Sequence, residues 1–137
     1  MDPQILAILK VFLSILLGGI IGYERERAGH FAGIRTHIVV CLTSTFLMSA
    51  FTDFGYPQDS IVKIAAGLLT GIGFIGAGTI LSHGTEVRGL TTAASVWCVA
   101  GLGIIIGLGA YLEALIVTVL TVFVLEMRFF SLVRKRI

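Results

Sequence analysis

Five apolar stretches, each close to 20 residues long, limit what this chain can fold into. They cover roughly residues 3–22, 36–54, 60–82, 89–107 and 109–128. A helix needs about 20 apolar residues to cross the hydrocarbon core of a bilayer. The pattern therefore predicts an all-α fold, a polytopic transmembrane bundle of about five helices.

Composition supports the same fold class. The chain has 137 residues, of which 56% are hydrophobic and 13% charged, and its mean hydropathy is +1.00. A soluble domain carries about 25% charged residues, which it needs to cover its surface in water. The length suits one domain, so residues 1–137 are predicted to form a single transmembrane domain.

The basic residues predict how the bundle is oriented. If the N-terminus lies outside, eight of the ten basic residues fall on the cytoplasmic side, as positively charged loops do in inner membranes. These eight are Arg25, Arg27, Arg35, Arg88, Arg128, Arg134, Lys135 and Arg136. The prediction is N-out and C-in. The fourth connection, around residues 107–109, carries no charge and fits either a tight hairpin or a re-entrant bend.

The stretch "GIGFIGAG", residues 71–78, has the letters of a dinucleotide-binding fingerprint. Such a fingerprint follows a strand and precedes an acidic residue about 20 positions on, and this chain offers neither. Small residues instead let helices approach closely in lipid. The predicted packing residues are Gly67, Gly71, Gly73, Gly76 and Gly78, with the pairs Gly18/Gly22 and Gly103/Gly107 at the same four-residue spacing. The third helix is expected to be central, or to contact a second subunit in a homo-oligomer.

The predicted topology gathers polar residues from separate segments at the cytoplasmic face. The members singled out are Glu24, Arg25, Arg35, Thr36, Arg88 and Thr92. One interpretation is a site for an ion, an anionic group or a partner protein; the other is charged helix ends that meet water and headgroups. Glu24 is expected to pair with Arg35 or Arg88. Glu24 and Glu26 are also candidate oxygen ligands for Mg²⁺, which needs one or two carboxylates, although no cofactor is required.

Two charges lie within predicted membrane segments, Lys10 in the first helix and Glu113 in the fifth. Charges at such positions are costly and are candidates for function; the alternative is that Lys10 extends its ammonium outward toward Glu113. No catalytic motif is present, so an enzyme is not expected. The basic end "RFFSLVRKRI" suits contact with anionic lipid rather than nucleic acid.

Three long blocks resemble the membrane domain of the MgtC/SapB family of bacterial inner-membrane proteins. The blocks are "GYERERAGHFAGIRTHIVVCLTS", "GIGFIGAGTIL" and "VRGLTTAASVWCVAGLGIIIGLG". The resemblance implies that the family's signature falls on these positions: Glu24, Arg25, Gly33, Arg35, Thr36, Gly71, Gly73, Gly76, Ala77, Gly78, Val87, Arg88, Gly89, Leu90, Thr92, Ala93, Ala94 and Trp97.

The resemblance also implies a function. Members of the family are associated with growth at low magnesium and with regulation of other membrane machinery, including the proton-translocating ATP synthase. The expectation is a non-enzymatic inner-membrane protein that binds or regulates another membrane complex during magnesium limitation or acid stress. The alternative is a small channel or transporter for Mg²⁺ or H⁺. The chain is expected to lack the soluble C-terminal domain of the longer members, and its Lys63 stands where the family often has an arginine.

Overall fold

Five α-helices and one short β-hairpin make up the protein in this computed structural model. The helices are α1 (Pro3–Arg27), α2 (Ile34–Asp53), α3 (Gln58–Ala77), α4 (Leu90–Gly107) and α5 (Tyr111–Arg134), and the strands are β1 (Leu81–His83) and β2 (Glu86–Arg88). The structure describes residues 2–83 and 85–134, without the side chains of residue 83 and residues 128–134.

The predicted all-α transmembrane bundle is confirmed. Judged on the described residues, the helices α1 to α4 are each long and apolar enough to cross a membrane. The protein is therefore a multi-pass membrane protein. The basic residues Arg128, Arg134, Lys135 and Arg136, which contribute to the predicted orientation, lie outside the side chains that the structure describes.

Successive helices run in opposite directions, so their ends alternate between two ends of the bundle. One end carries the β-hairpin together with the α1–α2 loop, and we call it the hairpin end. An ion pair between Arg27 and Glu126 places the second half of α5 at this same end. The arrangement agrees with the predicted order of crossings, while the assignment of the hairpin end to the cytoplasm stays a prediction.

The third helix is shorter than predicted. It ends at Ala77 rather than near residue 82, and β1 pairs antiparallel with β2 in the segment that follows. Backbone N–H groups of Gly78 and Thr79 donate to carbonyls of the last turn, and the Thr79 hydroxyl donates to Gly76 O at 2.7 Å. These bonds satisfy carbonyls that a helix end leaves open, so the helix stops where the composition is still apolar.

The fourth connection is a tight hairpin. The N–H groups of Leu108, Gly109 and Ala110 donate to carbonyls of the last turn of α4 at 2.9 to 3.0 Å. Gly109 has a φ of 88°, a left-handed conformation that glycine adopts without steric cost. The helix therefore closes within three residues, and the re-entrant alternative is not realised.

The core lies where α1, α2 and α4 meet, and glycines set how closely they approach. A Cβ added at Gly18 would lie 2.9 Å from Cys41 Cβ, and one at Gly22 would lie 2.7 Å from Ile34 Cα. A Cβ at Gly103 would overlap the carbonyl oxygen of Cys41. The four-residue glycine spacing on α1 and α4 is thus a packing motif, as lipid-embedded helices require.

The third helix is not central within the chain, contrary to the prediction. Of its residues only Gly76 is buried, against Ala93 of α4. The central helix is α4, because it packs against α1, α2, α3 and α5. Trp97, one of the family-signature positions, is 51% exposed on α4. Small residues on several faces of α3 were a misleading signal, because they mark a surface that the chain itself leaves uncovered.

Candidate functional site

A buried polar cluster lies at the hairpin end, where α1, α2 and α4 meet. Its members are Glu24, Arg25, His37, Thr92 and Ser95, and each is at most 7% exposed. They come from the end of α1 and the starts of α2 and α4, which the antiparallel topology brings together. The predicted convergence of polar residues at one face is therefore present for Glu24, Arg25 and Thr92, while the role of the cluster stays a prediction.

Glu24 pairs with its neighbour Arg25 rather than with Arg35 or Arg88. The guanidinium contacts both carboxylate oxygens, with Nη2 of Arg25 donating to Oε1 of Glu24 at 2.6 Å and Nε donating to Oε2. Both side chains are almost fully buried. Bidentate geometry compensates part of the cost of removing two charges from water, so the pair forms locally without a distant partner.

His37 connects α2 to α4 through its two ring nitrogens. Its Nδ1 lies 2.8 Å from Gly33 O, and its Nε2 lies 3.0 Å from Ser95 Oγ. Because a carbonyl oxygen only accepts, Nδ1 carries a proton. The Ser95 hydroxyl also lies 2.9 Å from Thr92 O. When the imidazole is neutral, Nε2 of His37 and Thr92 O are both acceptors for the one hydroxyl proton of Ser95. His37 is not among the candidate residues predicted from the sequence, although its apolar neighbours at a helix start were a usable signal.

The other predicted members of the cluster lie toward the surface. Arg35 is exposed and Thr36 is partly buried. Arg88 is exposed on β2, where its Nη2 lies 2.9 Å from Oε1 of Glu86. The structure therefore divides the predicted polar set into a buried group and a surface group.

The two candidate magnesium ligands already have partners in the chain. Glu24 is bound by Arg25, and Oε2 of Glu26 accepts a hydrogen bond from Ile34 N at 2.9 Å, which caps the start of α2. Among the described residues no three His, Cys, Asp or Glu side chains gather into a metal-binding group. The residues at this position thus do not fit a magnesium centre built on Glu24 and Glu26.

A groove of about 730 Å³ opens beside the buried cluster. The α1–α2 loop lines one wall, and the β-hairpin with the start of α4 lines the other. The lining residues are Gly29, His30, Phe31, Thr79, Leu81, Glu86, Arg88, Gly89 and Thr92. Gly89 is required here, since its φ of 90° is left-handed and a Cβ would overlap Thr79 O. Thr92 belongs to both the groove and the buried cluster.

At the opposite end of the bundle, Lys10 is buried and paired with α2. Its ammonium donates to Ser49 Oγ at 2.8 Å and lies 3.8 Å from Oδ1 of Asp53, while Ser49 donates to Oδ2 of Asp53 at 3.0 Å. Glu113, the partner considered from sequence, is exposed on α5 and makes no ion pair with any described residue. The four-residue spacing of Ser49 and Asp53 on one face of α2 was the signal that could have identified this triad.

The glycines of α3 fall into two groups. Gly76 packs against α4, whereas a Cβ at Gly67, Gly71 or Gly73 would meet no described atom within 4 Å. Gly67 and Gly71 line a shallow apolar groove of about 440 Å³ between α2 and α3. The predicted packing role of Gly67, Gly71 and Gly73 is therefore not fulfilled inside the chain, and it stays a prediction for contacts with another chain.

Comparisons with known proteins identify relatives over most of the chain. The family model described as MgtC family matches residues 11–131. Protein MgtC of Salmonella typhimurium is 43% identical over 114 residues, which cover 82% of this chain and 48% of that protein. Protein MgtC of Brucella abortus is 41% identical over 107 residues, which cover 77% of this chain and 44% of that protein. No solved structure matches the chain. The chain thus spans about half the length of the curated relatives it matches.

Proposed function

The chain belongs to the MgtC family, and from this premise we propose that it is a non-enzymatic protein of the bacterial inner membrane that binds and regulates another membrane complex. The conditions in which it acts are magnesium limitation or acid stress, as the family resemblance implies. The proton-translocating ATP synthase is one candidate partner, and a second copy of the chain is another.

The observation that carries the proposal is the uncovered face of α3. This helix is long and apolar enough to span the membrane, yet a Cβ at Gly67, Gly71 or Gly73 would meet no described atom within 4 Å. In lipid, helix association depends on close backbone approach, which small residues permit. Glycines that closely contact no helix of their own chain are thus suited to receive a transmembrane helix of another.

The buried cluster supports a structural rather than a catalytic role. A serine beside a histidine is the pair that a nucleophilic enzyme uses, and Ser95 lies 3.0 Å from His37. However, His37 is fully buried, Ser95 is 2% exposed, and neither lines the adjacent groove. The pair joins α2 to α4 at a place that a substrate does not reach.

An ion conduit is the second candidate, and it is favoured by the buried polar residues at both ends of the bundle. Lys10 and Ser49 lie near one end, and Arg25 and His37 near the other. Between them α2 packs directly on α1 and α4, because a Cβ at Gly18 would lie 2.9 Å from Cys41 Cβ and one at Gly103 would overlap Cys41 O. This packing argues for a closed core and against a permanent passage.

The test is recovery of the partner complex from bilayer-reconstituted or native membranes with variants of α3. Gly71→Leu fills the uncovered face, and we expect it to reduce co-purification of the ATP synthase, or of a second, differently tagged copy, by at least about tenfold, equivalent to 1.4 kcal/mol. Gly101→Leu on α4 is the matched control, since Gly101 also has no described atom within 4 Å of an added Cβ.

Equal recovery with the wild type and with Gly71→Leu would exclude α3 as the contact. Gly73→Leu tests where on α3 the partner binds, because Gly73 does not line the α2–α3 groove. Loss with Gly71→Leu alone would locate the contact at the groove, and loss with both variants would extend it around the helix.

A further inference from the structure

We propose that the groove at the hairpin end binds a small anion bearing a phosphate group, held at the N-terminus of α4. The inference concerns the purified chain itself and does not depend on the partner proposed above. It rests on four features of the groove: unused donors of the helix, a threonine hydroxyl without a partner among the described residues, a basic side chain at the rim, and a size suited to a small ligand.

The first feature is the start of α4. The helix has 18 residues, and its N-cap residue Gly89 has no side chain that could accept from the first turn. Ala93 N donates to Gly89 O at 2.9 Å, but the N–H groups of Leu90, Thr91 and Thr92 have no hydrogen-bond acceptor among the described residues. Free N–H groups together with the helix dipole favour an anion at such a terminus.

The second feature is independent of the helix terminus. Thr92 lines the groove, its side chain is 3% exposed, and its hydroxyl makes no hydrogen bond with any described residue. By contrast, the hydroxyl of Thr79 in the same groove donates to Gly76 O at 2.7 Å. A threonine hydroxyl can donate one hydrogen bond and accept others, so Thr92 has hydrogen-bonding capacity left for a ligand in the groove.

The third feature is the charge at the rim. Arg88 is exposed, and its Nε and Nη2 contact Oε1 of Glu86 at 3.0 and 2.9 Å. Only part of the guanidinium is used by this contact, since arginine has five N–H donors. Glu86 is the only carboxylate among the described residues that line the groove. An anion in the groove would therefore be attracted by Arg88 and opposed by Glu86.

The fourth feature is size. A groove of about 730 Å³ falls within the range of about 300–1,000 Å³ of small-molecule sites and exceeds what a bare ion needs. The tetrahedral phosphate group offers several acceptor oxygens, which match N–H, hydroxyl and guanidinium donors that come from different directions. The same group is present in free phosphate, in nucleotides and in lipid headgroups, all of which reach a membrane face.

The direct experiment is titration calorimetry on the full chain in nanodiscs of phosphatidylcholine, with inorganic phosphate and ATP as separate probes. A third arm uses nanodiscs that also contain phosphatidylglycerol, with native mass spectrometry to count retained lipid. Saturable binding of either free probe supports a soluble ligand. Retention of phosphatidylglycerol that is lost on Thr92→Val supports a lipid headgroup at the same site. Absence of binding in all three arms would overturn the proposal.

Four variants separate the site from general damage to the fold. We expect Thr92→Val and Arg88→Gln each to weaken binding about tenfold, since hydrogen bonds to a charged group are the strong ones. Glu86→Gln removes the opposing charge and is expected to strengthen binding. Thr118→Val on α5 is the matched control, because Thr118 is as buried as Thr92 and does not line the groove.

Glu86→Gln and Arg88→Gln are expected to change the binding affinity in opposite directions. A purely structural role of the ion pair would not produce this difference. Weaker binding in Glu86→Gln, to the same degree as in Arg88→Gln, would mean that the ion pair supports the hairpin and that neither residue acts on the ligand. An equal loss in Thr118→Val and Thr92→Val would likewise contradict a site at the Thr92 hydroxyl.

Discussion

A methyl group added at Gly107 should destabilise the bundle, whereas the same methyl group at Gly101 should not. A Cβ at Gly107 would lie 2.6 Å from Met48 Cβ, 2.8 Å from Thr45 O and 3.1 Å from Ser49 N. Two of these three atoms belong to the backbone and cannot rotate away. At Gly101 an added Cβ would meet no described atom within 4 Å.

The difference in stability between the two variants follows from two opposing contributions. Alanine is favoured over glycine inside a helix by about 0.5–1 kcal/mol, and this gain applies at both positions. Overpacking costs about 1–3 kcal/mol, and this cost applies at Gly107 alone. Because α2 and α4 must separate for the methyl group to fit, we take the upper part of that range. The Gly107→Ala variant should then be less stable than Gly101→Ala by about 2–3 kcal/mol.

The assay is reversible unfolding in mixed micelles with increasing fraction of a denaturing detergent, followed by the fluorescence of Trp97. We expect the stability of the wild type to lie between those of the two variants. Equal stability of Gly101→Ala and Gly107→Ala would refute the close approach of α2 and α4, because the two substitutions differ in their surroundings and not in their chemistry.

Three further predictions concern charge and orientation. Glu24→Gln should destabilise the fold by about 3 kcal/mol or more, because it leaves the buried guanidinium of Arg25 without its counter-charge. The same micelle titration measures this loss of stability. A loss below about 1 kcal/mol, the value of an exposed pair, would contradict a buried pair. Arg27→Gln removes an exposed ion pair to α5 and should change stability by less than about 1 kcal/mol, so a larger loss in the same titration would show that this pair fixes α5. In a cysteine-free background, single cysteines at His30 and Pro57 should be labelled from the cytoplasmic and outer side respectively, and the reverse pattern would overturn the N-out, C-in orientation.

The fold class was predictable because the bilayer imposes a simple length rule on apolar helices. The end of α3 was not predictable, because the apolar Ile80 and Leu81 continue the hydropathy of the helix. The stop depends instead on hydrogen bonds of its last turn. Hydropathy carries no information about that local geometry. The β-hairpin between α3 and α4 therefore appears only in the structure.

The packing glycines show a second limit of sequence reasoning. The pairs Gly18/Gly22 and Gly67/Gly71 have the same spacing, yet the first pair packs on α2 and the second faces no described atom within 4 Å. Spacing identifies a smooth helix face, but the topology decides whether the chain itself covers that face.

The partners of charged residues were the least predictable part of the site. Glu24 was assigned to distant arginines, and it contacts the adjacent Arg25. Lys10 was considered with Glu113, and it contacts Ser49 and Asp53. The signs of the charges allow each of these pairings. Which pair forms depends on how each helix is rotated about its axis, and the sequence does not give that rotation.

We propose above that this protein binds other membrane helices and does not conduct ions by itself. The most direct measurement is flux of Mg²⁺ and H⁺ from liposomes that contain only this chain, verified as folded, against protein-free liposomes. We expect no flux above the protein-free rate, because glycine contacts bring α1, α2 and α4 close together. Flux that rises with the amount of protein and changes in Lys10→Met would contradict it and make the chain a conduit.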